Sequence, residues 1–189
     1  MFFQYETPRL LLKVLRADCA PQVLDFYNRD KELFEMYEID RVPDFYTVKH
    51  LQKVLRYEYN MAVKSQLFRF YVFKKENPCR IIGTVCIHNI APAFYGSCEI
   101  GYKFSSEFHH MGYATEAVGF CTKLAFNELR MHKVTAVVHP GNVPSMKLLN
   151  GLGFVQEGLL HDYLIPVSYT HLRVHETGRN LVCRLLLEK

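Results

Sequence analysis

Two hydrophobic periods alternate along this chain, and where they change over gives the order of its elements. The apolar run Thr7-Pro8-Arg9-Leu10-Leu11-Leu12-Lys13-Val14-Leu15 places Pro8 where only the start or edge of a strand tolerates it, and predicts a first strand. Asp18 then stands where it can cap a helix from about Ala20, with Pro21 in the first turn and Val23, Leu24, Phe26 and Tyr27 at helical spacing. Thr47 can cap a second, longer helix in which Leu51, Val54, Leu55 and Tyr59 recur at three and four. From Phe68 the period becomes two. Phe68 to Phe73 and Arg80 to Ile87 are rich in β-branched and aromatic residues, and Glu76-Asn77-Pro78 between them predicts the turn of a hairpin. Ser97 to Phe104 extends this antiparallel meander. Ala114, Ala117, Val118, Cys121, Leu124, Ala125 and Leu129 share one helical face, Lys133 to Val138 alternates as a strand, and Val143 to Asn150 predicts a shorter helix ending at Gly151-Leu152-Gly153. Phe154-Val155 opens another strand. The order predicts an α/β fold: a mixed central sheet with an antiparallel N-terminal meander, a parallel crossover behind it, and helices on both faces.

Composition narrows the function classes. A chain of 189 residues with 49% hydrophobic and 22% charged residues fits one domain, and no apolar run is long enough to span a bilayer. The first residues, Met1 to Glu6, lack a basic region and a long apolar stretch, so neither export nor a membrane partner is expected. The six cysteines are scattered, without a C-x-x-C pair or histidines at ligand spacing, which points to reduced thiols, a cytoplasmic setting and no metal. The net charge of +4 is spread out rather than gathered into a stripe, so direct nucleic-acid binding is not expected.

The segment that changes the picture is His109-His110-Met111-Gly112-Tyr113-Ala114-Thr115-Glu116, at the junction of a strand and a helix. Small residues at Gly112 and Ala114 let the backbone approach an anion while the first N–H groups of the helix point outward unpaired. A glycine in such a turn is also ordinary turn chemistry. Four ordered segments add context: Thr7-Pro8-Arg9-Leu10-Leu11-Leu12; Ile82-Gly83-Thr84-Val85; Cys98-Glu99-Ile100-Gly101-Tyr102 leading into Gly112 to Ala117; and Asn142-Val143-Pro144-Ser145 leading into Gly151-Leu152-Gly153-Phe154 and Glu157-Gly158. Together these resemble the GNAT acetyltransferase superfamily, in particular its ribosomal-protein N-terminal acetyltransferases, over Thr7 to about Tyr163. That family holds the coenzyme A pyrophosphate on backbone amides of a Gln/Arg-x-x-Gly-x-Gly/Ala turn. Here His109 stands where Gln or Arg is usual and His110 where a glycine is common.

The resemblance implies an acetyl-CoA-dependent N-acetyltransferase acting by direct attack in a ternary complex. It assigns cofactor contacts to Ile100, Tyr102, His109, His110, Met111, Gly112, Tyr113, Ala114, Thr115 and Asn142, with Asn142 also able to cap a helix. The reaction needs a deprotonated amine, a donor for the oxyanion and a proton for the departing thiolate. Glu99 is the general-base candidate, directly or through a water, or else a carboxylate that only orients substrate. Many relatives use a tyrosine as the acid where this chain has Leu149, and Ser145, one helical turn earlier, is the substitute that the resemblance implies, or a serine satisfying backbone. His88, His132, His139 and His161 match no family position and read as structural or exposed. The implied acceptor is an amine, foremost a protein N-terminus. The alternatives are a polyamine or aminoglycoside, or an inactive acyl-CoA-binding module, and either a monomer or a homodimer is compatible.

On this reading residues 1–165 form the acetyltransferase domain and 166–189 are atypical. Pro166 to Thr177 looks like a spurious ending translated from library-adapter sequence in a truncated frame, whereas Leu181, Cys183, Leu185 and Leu187 alternate as a real last strand would.

Overall fold

Alternation of buried side chains sorts the strands onto two faces of one sheet in the computed structural model, which describes residues 1–36, 41–91, 94–160 and 180–186. The strands are β1 (Gln4–Glu6), β2 (Leu10–Lys13), β3 (Phe68–Lys74), β4 (Asn77–Ala91), β5 (Ser97–Phe104), β6 (Lys133–Val138), β7 (Val155–Leu160) and β8 (Asn180–Leu186). Their spatial order is β1-β2-β3-β4-β5-β6-β8-β7. Every neighbouring pair is antiparallel except β5 with β6, which is the parallel crossover expected from the sequence. The helices are α1 (Ala20–Arg29), α2 (Lys31–Glu35), α3 (Val48–Val63), α4 (Tyr113–Asn127) and α5 (Val143–Gly151).

One face carries Leu10, Leu12, Phe68, Phe70, Val72, Val85, Ile87, Cys98 and Ile100 and packs on α4 and α5 through Val118, Cys121, Ala125 and Leu149. The other face carries Tyr71, Phe73 and Ile81 and packs on α1, α2 and α3 through Val23, Phe26, Phe34, Leu51 and Leu55. Period-two alternation along β3 thus feeds two cores at once. Polar ties fix the second layer to the sheet. Buried Glu58 of α3 accepts from Arg69 Nε at 2.5 Å and from the Tyr71 hydroxyl at 3.2 Å. Asp30, between α1 and α2, accepts from Ser105 Oγ at 2.5 Å, Ser106 N at 3.1 Å and Ser106 Oγ at 2.5 Å, which fastens the helical layer to the chain just beyond β5. Burial pushes the Asp30 carboxyl up, but the serine hydrogen bonds outweigh it, and the group titrates below its usual value.

Three local readings need correction. The first strand does not run from Thr7 to Leu15: β1 precedes it, and Thr7-Pro8-Arg9 is the turn, closed by Thr7 N to Leu10 O at 3.0 Å and by Leu10 N donating to Thr7 Oγ1 at 3.1 Å. Asp18 caps nothing. It lies in a single 3₁₀ turn, with Cys19 at the helix boundary and no side-chain cap bond. Asn77 and Pro78 belong to β4 rather than to the turn, because the ladder jumps from the pair Phe73 and Ile81 to the pair Lys74 and Asn77, and a bulge spares the proline a missing N–H.

Elsewhere expectation and structure agree. β5 and β6 carry the bounds read from the sequence, and Thr47 Oγ1 accepts from His50 N at 3.2 Å as a helix cap. Gly153 takes the left-handed φ of +88° just after α5. Asn180–Leu186 is a strand seated between β6 and β7, while 166–179 lies outside the described residues. Among the described residues no helix is long and apolar enough to cross a membrane.

Gly83 of β4 faces Phe104 of β5 across the ladder, and a Cβ there would lie 2.3 Å from the ring. Phe104 is also a wall of the site described below. Gly83→Ala is therefore expected to lower stability by about 1–3 kcal/mol through overpacking, read from the midpoint of urea unfolding; an unchanged midpoint would show that the ring has room to move.

Candidate active site

The parallel ladder between β5 and β6 is short. It pairs Ser97 with Lys133, Cys98 with Val134 and Glu99 with Thr135, and there it stops. β5 goes on pairing with β4 as far as Phe104, and β6 with β8 as far as Val138. The two strands therefore part beyond Glu99 and leave a slot with backbone on both sides. A cavity of about 760 Å³ occupies this region, walled by Tyr102 and Phe104 from β5, Val137 and Val138 from β6, Asn142 and Ser145 at the start of α5, and Gly112, Ala114 and Thr115 at the start of α4. The lining includes Lys103, Lys147, His109, His110 and His139, and no carboxylate among the described residues.

The turn that begins α4 is conformationally unusual. Gly112 takes φ +76° and His110 takes φ +61°, and histidine is one of the few side-chain-bearing residues enriched in that region. The first bond of the helix runs from Glu116 N to Gly112 O at 3.0 Å, so the N–H groups of Tyr113, Ala114 and Thr115 precede the ladder, as the donors that every helix start leaves over. Tyr113 and Ala114 are half-buried and Thr115 is exposed. None of the three residues is fully buried. With the helix dipole, such donors are the kind of group that can cradle an anion, and among the described residues the cavity lining carries no carboxylate to oppose one.

A clamp from the N-terminal turn holds this cradle. Glu116 accepts from Thr7 Oγ1 at 2.6 Å, Arg9 N at 2.9 Å and Arg9 Nε at 2.6 Å, and Arg9 Nη1 donates to Met111 O at 2.9 Å. The guanidinium also lies 4.6 Å from the centre of the Tyr113 ring. Burial pushes the Glu116 carboxyl up, but the hydrogen bonds from Thr7 and Arg9 and the Arg9 charge hold it below its usual value.

An acetyltransferase (GNAT) domain model matches residues 9–155. The chain belongs to the GNAT acetyltransferase family. It is 34% identical over 157 residues to an uncharacterised N-acetyltransferase, p20, of Bacillus licheniformis, covering 83% of this chain and 85% of that one. The fold matches a crystal structure of ribosomal-protein-S5-alanine acetyltransferase from Vibrio fischeri with a TM-score of 0.86 at 23% identity, over 97% of this chain and 96% of that one. It also matches Mycobacterium smegmatis RimJ in complex with CoA-disulfide, with a TM-score of 0.83 at 22% identity, over 94% and 81% of the two chains.

Within this GNAT domain the structure gathers most of the residues singled out from the sequence. Tyr102, His109, His110, Gly112, Ala114, Thr115, Asn142 and Ser145 all line the cavity. Asn142 also caps α5, its Oδ1 accepting from Ser145 N at 3.2 Å. His109 turns its ring inward, with Nε2 3.0 Å from Phe104 O, which buttresses the turn. Four residues lie outside the lining: Ile100 is buried in the core, Met111 is exposed, Tyr113 packs beneath Arg9, and Glu99 stands at the closed end of the slot. Glu99 shares its face with His88, its partner across the β4–β5 ladder, whose Nδ1 is 4.0 Å from Glu99 Oε2. Burial pushes the His88 imidazole below its ordinary value, against the pull of Glu99. Leu149 is fully buried in the core, so the place where many relatives carry a tyrosine is packing here.

Two supporting features escaped the sequence. Tyr102, read only as a cofactor contact, brings its hydroxyl to 2.7 Å from Ser145 Oγ. The Thr7 and Arg9 clamp joins the Thr7-Pro8-Arg9 segment to Glu116 and to Met111 beside the Gly112 turn. A signal was present in the joint occurrence of these segments, but only coordinates join them.

Glu116→Ala is expected to free the turn: amide hydrogen exchange at 117–119, in the first bonded turn of α4, should speed up by about tenfold or more while β5 stays protected. In the wild type the clamp is complete above the ordinary glutamate range and is lost as pH falls through the lowered Glu116 value, so acidification should mimic the variant. Equal protection in variant and wild type would show that the turn holds itself.

Proposed function

We propose that this GNAT N-acetyltransferase binds acetyl-CoA along the slot and transfers the acetyl group to a protein N-terminal α-amino group. The observation that carries the reading is the start of α4, whose first N–H groups precede the helical ladder and where Gly112, Ala114 and Thr115 line a cavity shared with the diverging strands. The backbone donors of Tyr113, Ala114 and Thr115 would hold the diphosphate, and Asn142 and the exposed edges of β5 would hold the pantetheine arm. The cosubstrate supplies an activated acetyl thioester.

The chain's own groups then divide the proton work. Glu99, at the closed end of the slot, takes the proton of the incoming ammonium, directly or through a water, and Ser145 on the opposite wall supplies one to the departing sulfur. A free α-amino group titrates near ~8 and a lysine side chain near ~10.4, so an N-terminal amine asks little of a base at neutral pH. That favours a protein N-terminus over a polyamine, as does a lining with two lysines and no carboxylate among the described residues, which would repel a polycation. The S5-alanine and RimJ likenesses support the same acceptor class. Residues 1–165 are read as the acetyltransferase domain, with the atypical 166–189 segment supplying β8.

Calorimetry with CoA, followed by turnover of acetyl-CoA with a peptide beginning in alanine, with spermidine and with an aminoglycoside, tests the reading. Binding is expected, with turnover highest for the peptide. Glu99→Gln and Ser145→Ala should each lower turnover by about tenfold or more and leave CoA affinity within about twofold, as expected of proton-transfer groups. CoA binding without turnover of any amine would favour an acyl-CoA-binding module instead, and absence of binding would overturn the proposal.

A further inference from the structure

A serine alone is a poor acid, since its alkoxide is far more basic than the thiolate it would have to protonate, whereas phenols titrate near ~10 and thiols near ~8.5. The usual remedy in this fold, a tyrosine one helical turn beyond Ser145, is excluded by Leu149, whose side chain is fully buried in the core. The opposite wall of the slot supplies a phenol. Tyr102 projects from β5 towards α5, and its hydroxyl lies 2.7 Å from Ser145 Oγ and 3.3 Å from Ser145 O. Both residues line the cavity. Either oxygen can donate in the shorter contact, so the pair can pass a proton in the required direction.

We propose that Tyr102 is a positioning residue that acts through Ser145, completing the acid side of the site from a different element than the one the family ordinarily uses. This rests on the function proposed above. As the C–N bond forms and the C–S bond breaks, Ser145 Oγ gives its proton to the sulfur, forming S–H. The Tyr102 O–H refills Ser145 in the same movement. The phenolate is reprotonated from water, and the incoming ammonium gives up two protons by way of Glu99, one before attack and one as the amide forms; one of these offsets the proton taken by the sulfur and the other is released to solvent, so protons and charge balance. With its single proton given to Ser145 Oγ, the phenol is held beside the first turn of α5 by that contact, and the Asn142 cap fixes that turn in its place. The other titratable groups of the lining, Lys103, Lys147, His109, His110 and His139, make no contact with Ser145 Oγ within hydrogen-bond distance among those described.

The test uses the full chain and CoA itself. With CoA saturating, the thiolate absorbance of the bound coenzyme is titrated in wild type, Tyr102→Phe and Ser145→Ala. Hydrogen bonds to sulfur favour its anion, so the midpoint should lie lower in the wild type than in either variant by about one pH unit. In steady state with the alanine-initiated peptide, Tyr102→Phe should lower kcat by about tenfold or more and leave the KM for acetyl-CoA within about twofold. The phenylalanine ring keeps the packing, and unchanged CoA affinity checks that the slot is intact. A Tyr102→Phe midpoint equal to wild type, with only Ser145→Ala displaced, would overturn the inference and leave the acetyltransferase reading standing. Failure of the wild type to bind CoA would overturn both.

Discussion

The ion pair between Arg9 and Glu116 is the constraint on which the site depends. A helix start can offer its N–H groups to a ligand only if the preceding turn stays open, and this turn carries two left-handed residues, His110 and Gly112, that a free chain would seldom hold together. Glu116 gathers donors from Thr7 and Arg9, and Arg9 in turn takes the carbonyl of Met111, so the turn is gripped on both sides by a segment 107 positions away. The same pairing occupies the Glu116 carboxylate, which would otherwise sit unpaired in the first turn of α4 and compete with a bound anion. Asp30 adds a second grip upstream, through Ser105 and Ser106.

The slot follows from a different rule. A parallel pair that stops at Glu99 and Thr135 while both outer neighbours keep pairing must open like a splayed hinge, and the opening points at the start of α4. The start of α4, the parted strands and the Tyr102 and Ser145 pair therefore border one cavity, set by main-chain geometry more than by individual side chains. This is why His109 and His110 can replace the residues usual in the family. His109 spends its ring on Phe104 O, and His110 contributes a backbone conformation that histidine tolerates.

Much of this was legible in the sequence, for reasons that differ by element. β6 was read to the residue because it alternates cleanly between a buried face and a half-buried one, and β5 because it alternates as far as Ile100 and ends on buried Phe104. The α4 stripe was legible from its helical period, and the Gly112 turn, ordinary turn chemistry by itself, only through the ordered segments around it. β1 was missed, as three residues with one half-buried side chain leave no period to read, and the Thr7 turn was mistaken for strand because it carries no turn dipeptide and is closed by one backbone bond and one to a hydroxyl. The cap assigned to Asp18 failed to an inserted 3₁₀ turn, which shifts the helix start by one residue beyond its reach. Of the site residues, the backbone contributors were easier to place than the chemistry. Tyr102 and Ser145 are 43 positions apart, and no local pattern announces that their hydroxyls meet.

The most direct measurement of the central claim is the amide spectrum of ¹⁵N-labelled protein during titration with CoA and, separately, with pantetheine, which lacks the diphosphate. Donors at the start of α4 that grip a diphosphate should give the largest shifts at Tyr113, Ala114 and Thr115 with CoA, and almost none with pantetheine. Shifts confined to other parts of the sheet, or equal at these three amides for both ligands, would contradict the account.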